Sequence, residues 1–326
     1  FSHDPVRLLR AVRFSRHFNF TLESQTLNLI KKTKEHLLKC PWERIRSEFF
    51  KILNLPDVNK TLLELDRLGL LTLLIPEIES FRGIEQGEYH DYDLWEHSLK
   101  TAHFTESILQ NIKYYFPKYE ESLEFYFSEQ LESEIKRNQI LIFTGLLHDT
   151  GKPLTKNNRG NQIHFYHHDR IGAKINQRIS KRFKLGRKTS RIISTATRHH
   201  MRLFNLYHLK RITDRAKYRF LKDTKDVFLD TLIVSLADFM ATRKSSLDGK
   251  NEIPILNLVT DLMDYYFQEY STSRHEPLLN GNEIMEVLHL KPGKKVGELL
   301  ALIENAEREG TISNREEAVK LITSVK

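Results

Sequence analysis

Ile140-Leu141-Ile142-Phe143-Thr144-Gly145-Leu146-Leu147-His148-Asp149-Thr150-Gly151-Lys152 is an apolar run that stops at two strongly polar side chains. The run from Ile140 to Leu147 carries no charge and predicts a buried helix, with Gly151 placed to end it. Two polar groups at the end of a buried helix are costly unless both are satisfied. The run is far shorter than the roughly 20 apolar residues a bilayer span needs, so no transmembrane helix is expected.

The helical pattern continues on both sides. Val6, Leu9 and Val12 recur at helical spacing, and similar rows occupy 27–38, 49–53, 62–74, 99–112, 171–179, 229–240 and 255–267. No period-two alternation of strand length appears, nor any repeat of 20–50 residues. Gly (13) and Pro (9) are scarce in 326 residues, against a turn-rich β-sandwich. The expectation is an all-α, multi-helical protein.

A chain of this length exceeds one typical core. Breaker-rich stretches at 82–93, 151–160 and 271–281 suggest divisions into 1–80, 81–270 and 271–326. Asp4-Pro5 reads as a helix start, with Asp as N-cap and Pro at the first helical position. Ser313 with Glu316, and Asn314 with Glu317, have capping-box spacing. Hydrophobic residues at 40% and charged residues at 29% indicate a folded chain. One cysteine, Cys40, excludes an intrachain disulfide framework and a zinc site of several thiolates. It points to a reducing, cytoplasmic compartment. The chain begins at Phe1 inside an apparent motif, so a longer parent is expected.

Charge is unevenly distributed. The formal net charge is +8, yet 170–222 holds 17 Lys/Arg against one acidic residue, Asp214, an excess of +16. The remainder is therefore acidic overall; 119–134 alone carries six Glu and reads as an amphipathic surface insertion. A basic island with so few local partners suggests a polyanion, with Lys181, Arg182, Arg187 and Lys188 as candidate RNA contacts.

His148-Asp149 is not alone in its setting. His97 lies at the start of an apolar helix, His168 precedes Ile171-Gly172-Ala173, and His200 follows a helix containing Ile192 and Ile193. Asp238 sits within the apolar helix 229–240, where an unpaired carboxylate is hard to explain. Imidazole and carboxylate together suit a divalent cation such as Mn, Fe, Co, Ni or Zn, with Mg also possible on the carboxylates. Such an ion compensates the buried aspartates and lowers the pKa of a bound water from about 16 towards about 7.

His97, His148-Asp149, His168, His200 and Asp238 resemble the ordered set of the HD-superfamily metal-dependent phosphohydrolases. The resemblance implies that His97, His148, Asp149 and Asp238 hold one ion. It implies that His168 and His200 help hold a second, with Asp149 bridging. Lys152 matches the lysine that contacts substrate phosphate, making Asp149 and Lys152 the candidate catalytic residues. His167 and His199 are expected at the surface or behind the ligands, and His90 in a loop near the site mouth.

The stretch Asp4-Pro5-Val6-Arg7-Leu8-Leu9-Arg10-Ala11-Val12-Arg13-Phe14 resembles the neck of class II tRNA nucleotidyltransferases and bacterial poly(A) polymerases. There an Asp and an Arg, here Asp4 and Arg7, read the edge of the incoming base; His3 replaces the usual Glu. Glu43-Arg44-Ile45-Arg46-Ser47-Glu48-Phe49-Phe50-Lys51-Ile52-Leu53 resembles the motif that braces the neck helices. Phe165-Tyr166-His167-His168-Asp169-Arg170-Ile171-Gly172-Ala173 resembles the family's HD insert, which usually has Gly at position 167. Leu279, Gly281, Pro292-Gly293, Gly297 and Arg315-Glu316-Glu317-Ala318 resemble its C-terminal helical unit. No Gly-Ser or Gly-Gly followed by Asp-x-Asp occurs, so the nucleotidyltransferase head is missing from this sequence. The expectation is an enzyme that hydrolyses a 2′,3′-cyclic phosphate or a phosphomonoester at a nucleotide or RNA end. It binds tRNA and adds no nucleotide by itself. The alternatives are a non-catalytic RNA-binding body and a stand-alone nucleotide phosphohydrolase.

Overall fold

A computed structural model describes residues 4–87, 91–160, 162–242, 253–270, 278–308 and 310–324. The fold is all-α, as the spacing predicts. Among the described residues the strands are confined to two short antiparallel hairpins, β1 (Gln130–Glu132) with β2 (Ile135–Lys136) and β3 (Asn157–Arg159) with β4 (Gln162–His164). No described helix is long and apolar enough to cross a membrane. Packing divides the chain into two compact units, 1–207 with 226–259, and 208–225 with 260–326.

In the first unit the long helices are α1 (Arg7–His17), α2 (Ser24–Thr33), α3 (Trp42–Leu53), α4 (Val58–Arg67), α5 (Leu94–Gln110), α6 (Arg137–Leu147), α7 (His168–Arg182), α8 (Arg187–His199) and α9 (Phe228–Ala241). Helix α6 is buried on every side. It packs on α5, α8 and α9, while α7 and α8 form an antiparallel hairpin. Phe49 and Phe50 of α3 meet Phe143 of α6 at ring-centroid distances of 5.7 and 5.4 Å, and Phe183 closes the cluster at 5.4 Å from Phe143. All four rings are fully buried, each contributing on the order of 1.5–3 kcal/mol of transfer free energy. The buried Arg137–Asp230 pair, 2.9 Å, ties α6 to α9 and so fixes the two helices that carry His148 and Asp238.

Two glycines permit this packing. A Cβ on Gly145 would lie 2.7 Å from Thr105 Oγ1 and 3.2 Å from Thr101 O, so its absence lets α6 press against α5. A Cβ on Gly151 would lie 2.0 Å from His168 O, inside van der Waals contact, so the chain after α6 can touch the start of α7 only with glycine there.

Helix α1 departs from expectation at its start. It begins at Arg7 with Val6 as cap, and the Asp4 carboxylate accepts both its hydrogen bonds from Arg44, at 2.9 and 3.0 Å. A cation 40 residues away thus takes the oxygen that local reading assigned to the helix end. The arginine stripe is not a free face. Arg10 and Arg13 converge on the buried Glu48 of α3 at 3.3 and 3.0 Å.

The second unit holds helix Asp214–Thr224 and helices Gly281–Leu288, Lys294–Arg308 and Arg315–Ser324, the last three packed around Leu279, Ile284, Leu299, Ile303, Ala318 and Ile322. Asn280 and Glu283 form a reciprocal capping box. Of the two spacings near residue 314, the structure uses Asn314, whose Oδ1 accepts the Glu317 amide at 3.0 Å.

Candidate metal centre

Each of the six candidate ligands sits at a helix end or on a buried face. Asp93 caps α5, its Oδ1 accepting the Glu96 amide at 2.8 Å, and this fixes the first turn, where His97 lies. His148 is the C-cap of α6, and Asp149 follows it. His167 takes a left-handed φ of 64° and turns the chain into α7, whose first residue is His168. His200 is the C-cap of α8, and Asp238 lies in the last turn of α9.

These residues come together. Donor atoms of His97, His148, Asp149 and Asp238 all lie within 4.8 Å of one another, as do those of Asp149, His168 and His200. Asp149 is common to both groups and fully buried. Its oxygens are 3.5 Å from His97 Nε2, 3.0 Å from His148 Nε2, 3.4 Å from His168 Nε2 and 3.6 Å from His200 Nε2. Asp238 Oδ1 is 3.0 Å from His97 Nε2 and 3.4 Å from His148 Nε2.

The other ring nitrogens settle the tautomers. Nδ1 of His148, His168 and His200 donates to the carbonyls of Gly145, Phe165 and Thr197 at 2.8, 2.7 and 2.7 Å. In the neutral ring this leaves a lone pair on each Nε2, as in histidines poised for a metal. His168 and His200 then face each other Nε2 to Nε2 at 3.2 Å, and His97 and His148 at 3.3 Å. Two lone pairs so close repel unless a proton or a cation lies between them. Both oxygens of Asp149 are buried: Oδ2 meets Lys152 Nζ at 2.6 Å, while Oδ1 faces His168 and His200 and accepts no hydrogen bond. This donor set fits a divalent cation.

The electrostatics agree. Burial holds His200 down at about 4 and pulls His168 below its ordinary value. At His148 burial is outweighed by the charges of Asp149 and Asp238, which push it up to about 10. Burial also opposes ionisation of Asp149 and Asp238. It is outweighed by His148, assisted by Lys152 at Asp149 and by His97 at Asp238, so both carboxyls lie well below the usual range. Two anionic carboxylates beside neutral imidazoles are what a mid-row cation requires, and the His148 proton is what it would displace.

Lys152 is buried, its ammonium held between Asp149 and Gln86 Oε1 at 2.6 Å. Nothing in the sequence marked Gln86, which lies in a stretch read as a boundary. A second set was also missed. Asn176 donates to Leu147 O at 2.9 Å and to Thr197 Oγ1 at 2.8 Å, and accepts from Thr150 at 2.9 Å. It thereby joins the C-terminal ends of α6 and α8 to the middle of α7. Its signal was a polar residue on the buried stripe of α7, between Ala173 and Ile179. His167 is exposed and His199 half-buried, and neither belongs to the two ligand groups; His3 and His90 lie outside the described residues.

The remaining candidates lie elsewhere. Asp4 is gripped by Arg44, with Arg7 Nε 3.9 Å away. Of the four basic candidates, Arg182 is bound bidentately by Glu77 at 2.7 and 2.8 Å and Lys188 is paired with Glu129. Lys181 and Arg187 form no ion pair among the described residues and line a shared cavity.

Comparison with known proteins gives two family matches. Residues 19–82 match a probable RNA- and SrmB-binding site of polymerase A, and residues 94–266 match the HD domain. An A-adding tRNA nucleotidyltransferase of Deinococcus radiodurans is 29% identical over 323 residues, covering 97% of this chain and 67% of its own length. A CC-adding tRNA nucleotidyltransferase of Thermus thermophilus is 25% identical over 324 residues, covering 97% and 65%. Among solved structures, an apo CCA-adding enzyme aligns with a TM-score of 0.51 at 15% identity, over 99% of this chain and 60% of that one. The Thermotoga maritima CCA-adding enzyme complexed with tRNA aligns at 0.50 and 18%, over 99% and 62%. The structural likeness is one of fold. The chain spans about two thirds of the relatives it matches.

Proposed function

The chain belongs to the HD-domain family, and from that premise we propose that it is a metal-dependent phosphohydrolase region within a tRNA nucleotidyltransferase-like protein. The observation that carries this reading is Asp149, fully buried, with all four histidine Nε2 atoms within 3.6 Å of its carboxylate. His97, His148, Asp149 and Asp238 would hold one ion, and His168 and His200 with Asp149 a second. When bound, a divalent cation supplies Lewis-acid activation of water and of a phosphoryl oxygen. The chain's own residues do the rest. The carbonyls of Gly145, Phe165 and Thr197 hold the imidazoles in register. Lys152, braced by Gln86, carries its charge to a non-bridging phosphate oxygen and stabilises the negative charge that develops there. The substrate is a 2′,3′-cyclic phosphate or a phosphomonoester at a nucleotide or RNA end.

On this reading residues 1–80 are the RNA- and nucleotide-facing body, 81–270 the hydrolase and 271–326 a C-terminal helical unit of a cytoplasmic protein. Asp4 and Arg7 face the incoming base in the parent protein, with Arg44 holding Asp4 ionised and in place. This chain adds no nucleotide by itself. The match of 19–82 to an RNA-binding site and the tRNA nucleotidyltransferase relatives support tRNA as the polyanion. They also favour a second reading, in which the HD fold serves only as an RNA-docking body.

Elemental analysis of protein purified without added metal, paired with hydrolysis of bis(p-nitrophenyl) phosphate, separates the two. The hydrolase reading expects bound metal and turnover that Asp149→Ala abolishes while tRNA binding persists. Unchanged turnover in Asp149→Ala would refute the site. Metal-free, inactive protein that still binds tRNA would establish the docking body.

A further inference from the structure

The C-terminal half of α7 and the N-terminal half of α8 border an open cavity of about 610 Å³, lined by Gln177, Lys181, Lys184, Arg187, Ser190 and Ser194 among others. It lies at the opposite end of the α7–α8 hairpin from His168 and His200. Thirteen residues of helix separate His168 from Lys181, about 20 Å at the α-helical rise.

The carboxylates at this end are already engaged. Glu129 pairs with Lys188, Asp226 with Arg191, and Glu132 with Arg46 and the Gly186 amide. Lys181, Lys184 and Arg187 have no ion-pair partner among the described residues. Three cations without an ion-pair partner and the Ser190 hydroxyl thus border one volume, the Ser194 hydroxyl donating to Arg191 O. That is a donor set for an anion with several oxygens.

Lys184 is the informative member. It takes a left-handed φ of 53° where α7 ends, and the next amide, Leu185 N, donates back to Ser180 O at 2.9 Å. Glycine suits such a helix-closing position best, because an L side chain is strained there. A lysine lines the cavity at this position at the expense of that strain.

We propose that this cavity is a phosphate-binding pocket that seats one backbone phosphate of the bound RNA. The pocket's anion chemistry follows from its lining. The choice of RNA over a free phosphate rests on the tRNA-binding reading above, and on the surrounding stretch 170–222, whose 17 cations suit a polyanion.

Lys184→Gly tests it without depending on an unfolding defect, because the substitution relieves the backbone. The melting temperature should rise by about 2 °C. tRNA affinity should fall about five-fold at 0.15 M salt, and the log–log salt slope should flatten by about 1, the signature of one lost phosphate contact. Lys184→Arg should retain the affinity. Pyrophosphate should compete with tRNA for the unmodified protein, and bis(p-nitrophenyl) phosphate hydrolysis should be the same in all three proteins. tRNA binding that is intact but indifferent to both Lys184→Gly and Lys181→Ala would overturn the pocket alone. Pyrophosphate binding lost in Lys184→Gly without competition against tRNA would make it a free-anion site and overturn the RNA assignment. No tRNA binding by the unmodified protein would overturn this proposal together with the RNA reading.

Discussion

His167 stands where the resembling family usually has Gly, and its φ of 64° gives the reason. The chain must turn left-handed to enter α7, and only glycine does so without a Cβ penalty. His167→Gly should therefore stabilise the protein, by about 0.5–1 kcal/mol once the entropy of the unfolded chain is subtracted. Thermal denaturation would register the gain, and metal content should not change, since His167 belongs to neither ligand group. At this scale the sequence was informative where a residue type conflicts with its surroundings. His148 and Asp149 after the uncharged run 140–147, and Asp238 within an apolar helix, had to be satisfied by something. Gln86 created no such conflict, because an amide in a polar loop needs no explanation until Lys152 is seen to lie 2.6 Å from it.

At the scale of elements, Gly151 sets how closely the end of α6 approaches α7. Gly151→Ala would place a carbon 2.0 Å from His168 O, so the two must separate. The expected cost is about 1–3 kcal/mol of overpacking, with loss of any metal held through His168 and His200 before that held by His97 and Asp238. Circular dichroism melting with elemental analysis would show both. A second tie is the Arg182–Glu77 bridge, which fastens α7 to the 3-10 turn Pro76–Phe81. Burial opposes the Glu77 charge but the Arg182 hydrogen bonds outweigh it, so its pKa lies below the ordinary 4.5. Its stabilisation is present above about pH 4.5 and is lost as pH falls through the lower folded value. Glu77→Gln should thus flatten the acid limb of a stability–pH curve and reduce stability at neutral pH; an unchanged acid limb would remove the bridge from the account. The helices were legible because their apolar rows repeat every three to four residues. The two hairpins were not, since strands of two or three residues are too short to show alternation. The start of α1 was misread because Arg44, distant in sequence, claims Asp4.

For the molecule as a whole, the charge count was sound but incomplete. Sequence places 17 cations against one acid in 170–222, yet Glu77, Glu129, Asp169 and Asp226 reach into that region from outside it. Pairing across the fold is invisible to a local count. Enough cations remain to hold about six phosphates, so tRNA affinity should fall with salt at a log–log slope of roughly −5, borrowing the duplex DNA coefficient. A titration between 50 and about 200 mM salt would measure it, and a slope near zero would reduce the island to a solvated face.

The carbonyls that receive the imidazole protons have a consequence for how such a site ages. Gly145 O and Thr197 O belong to the last turns of α6 and α8, where carbonyls lack partners within the helix, so His148 and His200 finish the helices they follow. Their loss would fray a helix as well as a ligand shell, and selection for folding alone would preserve them in a lineage that had abandoned hydrolysis. Asp149 finishes no helix; its carboxylate serves the histidines and the buried Lys152 ammonium instead. In a descendant that no longer hydrolyses phosphate esters, His148 and His200 should therefore persist as relics of the site.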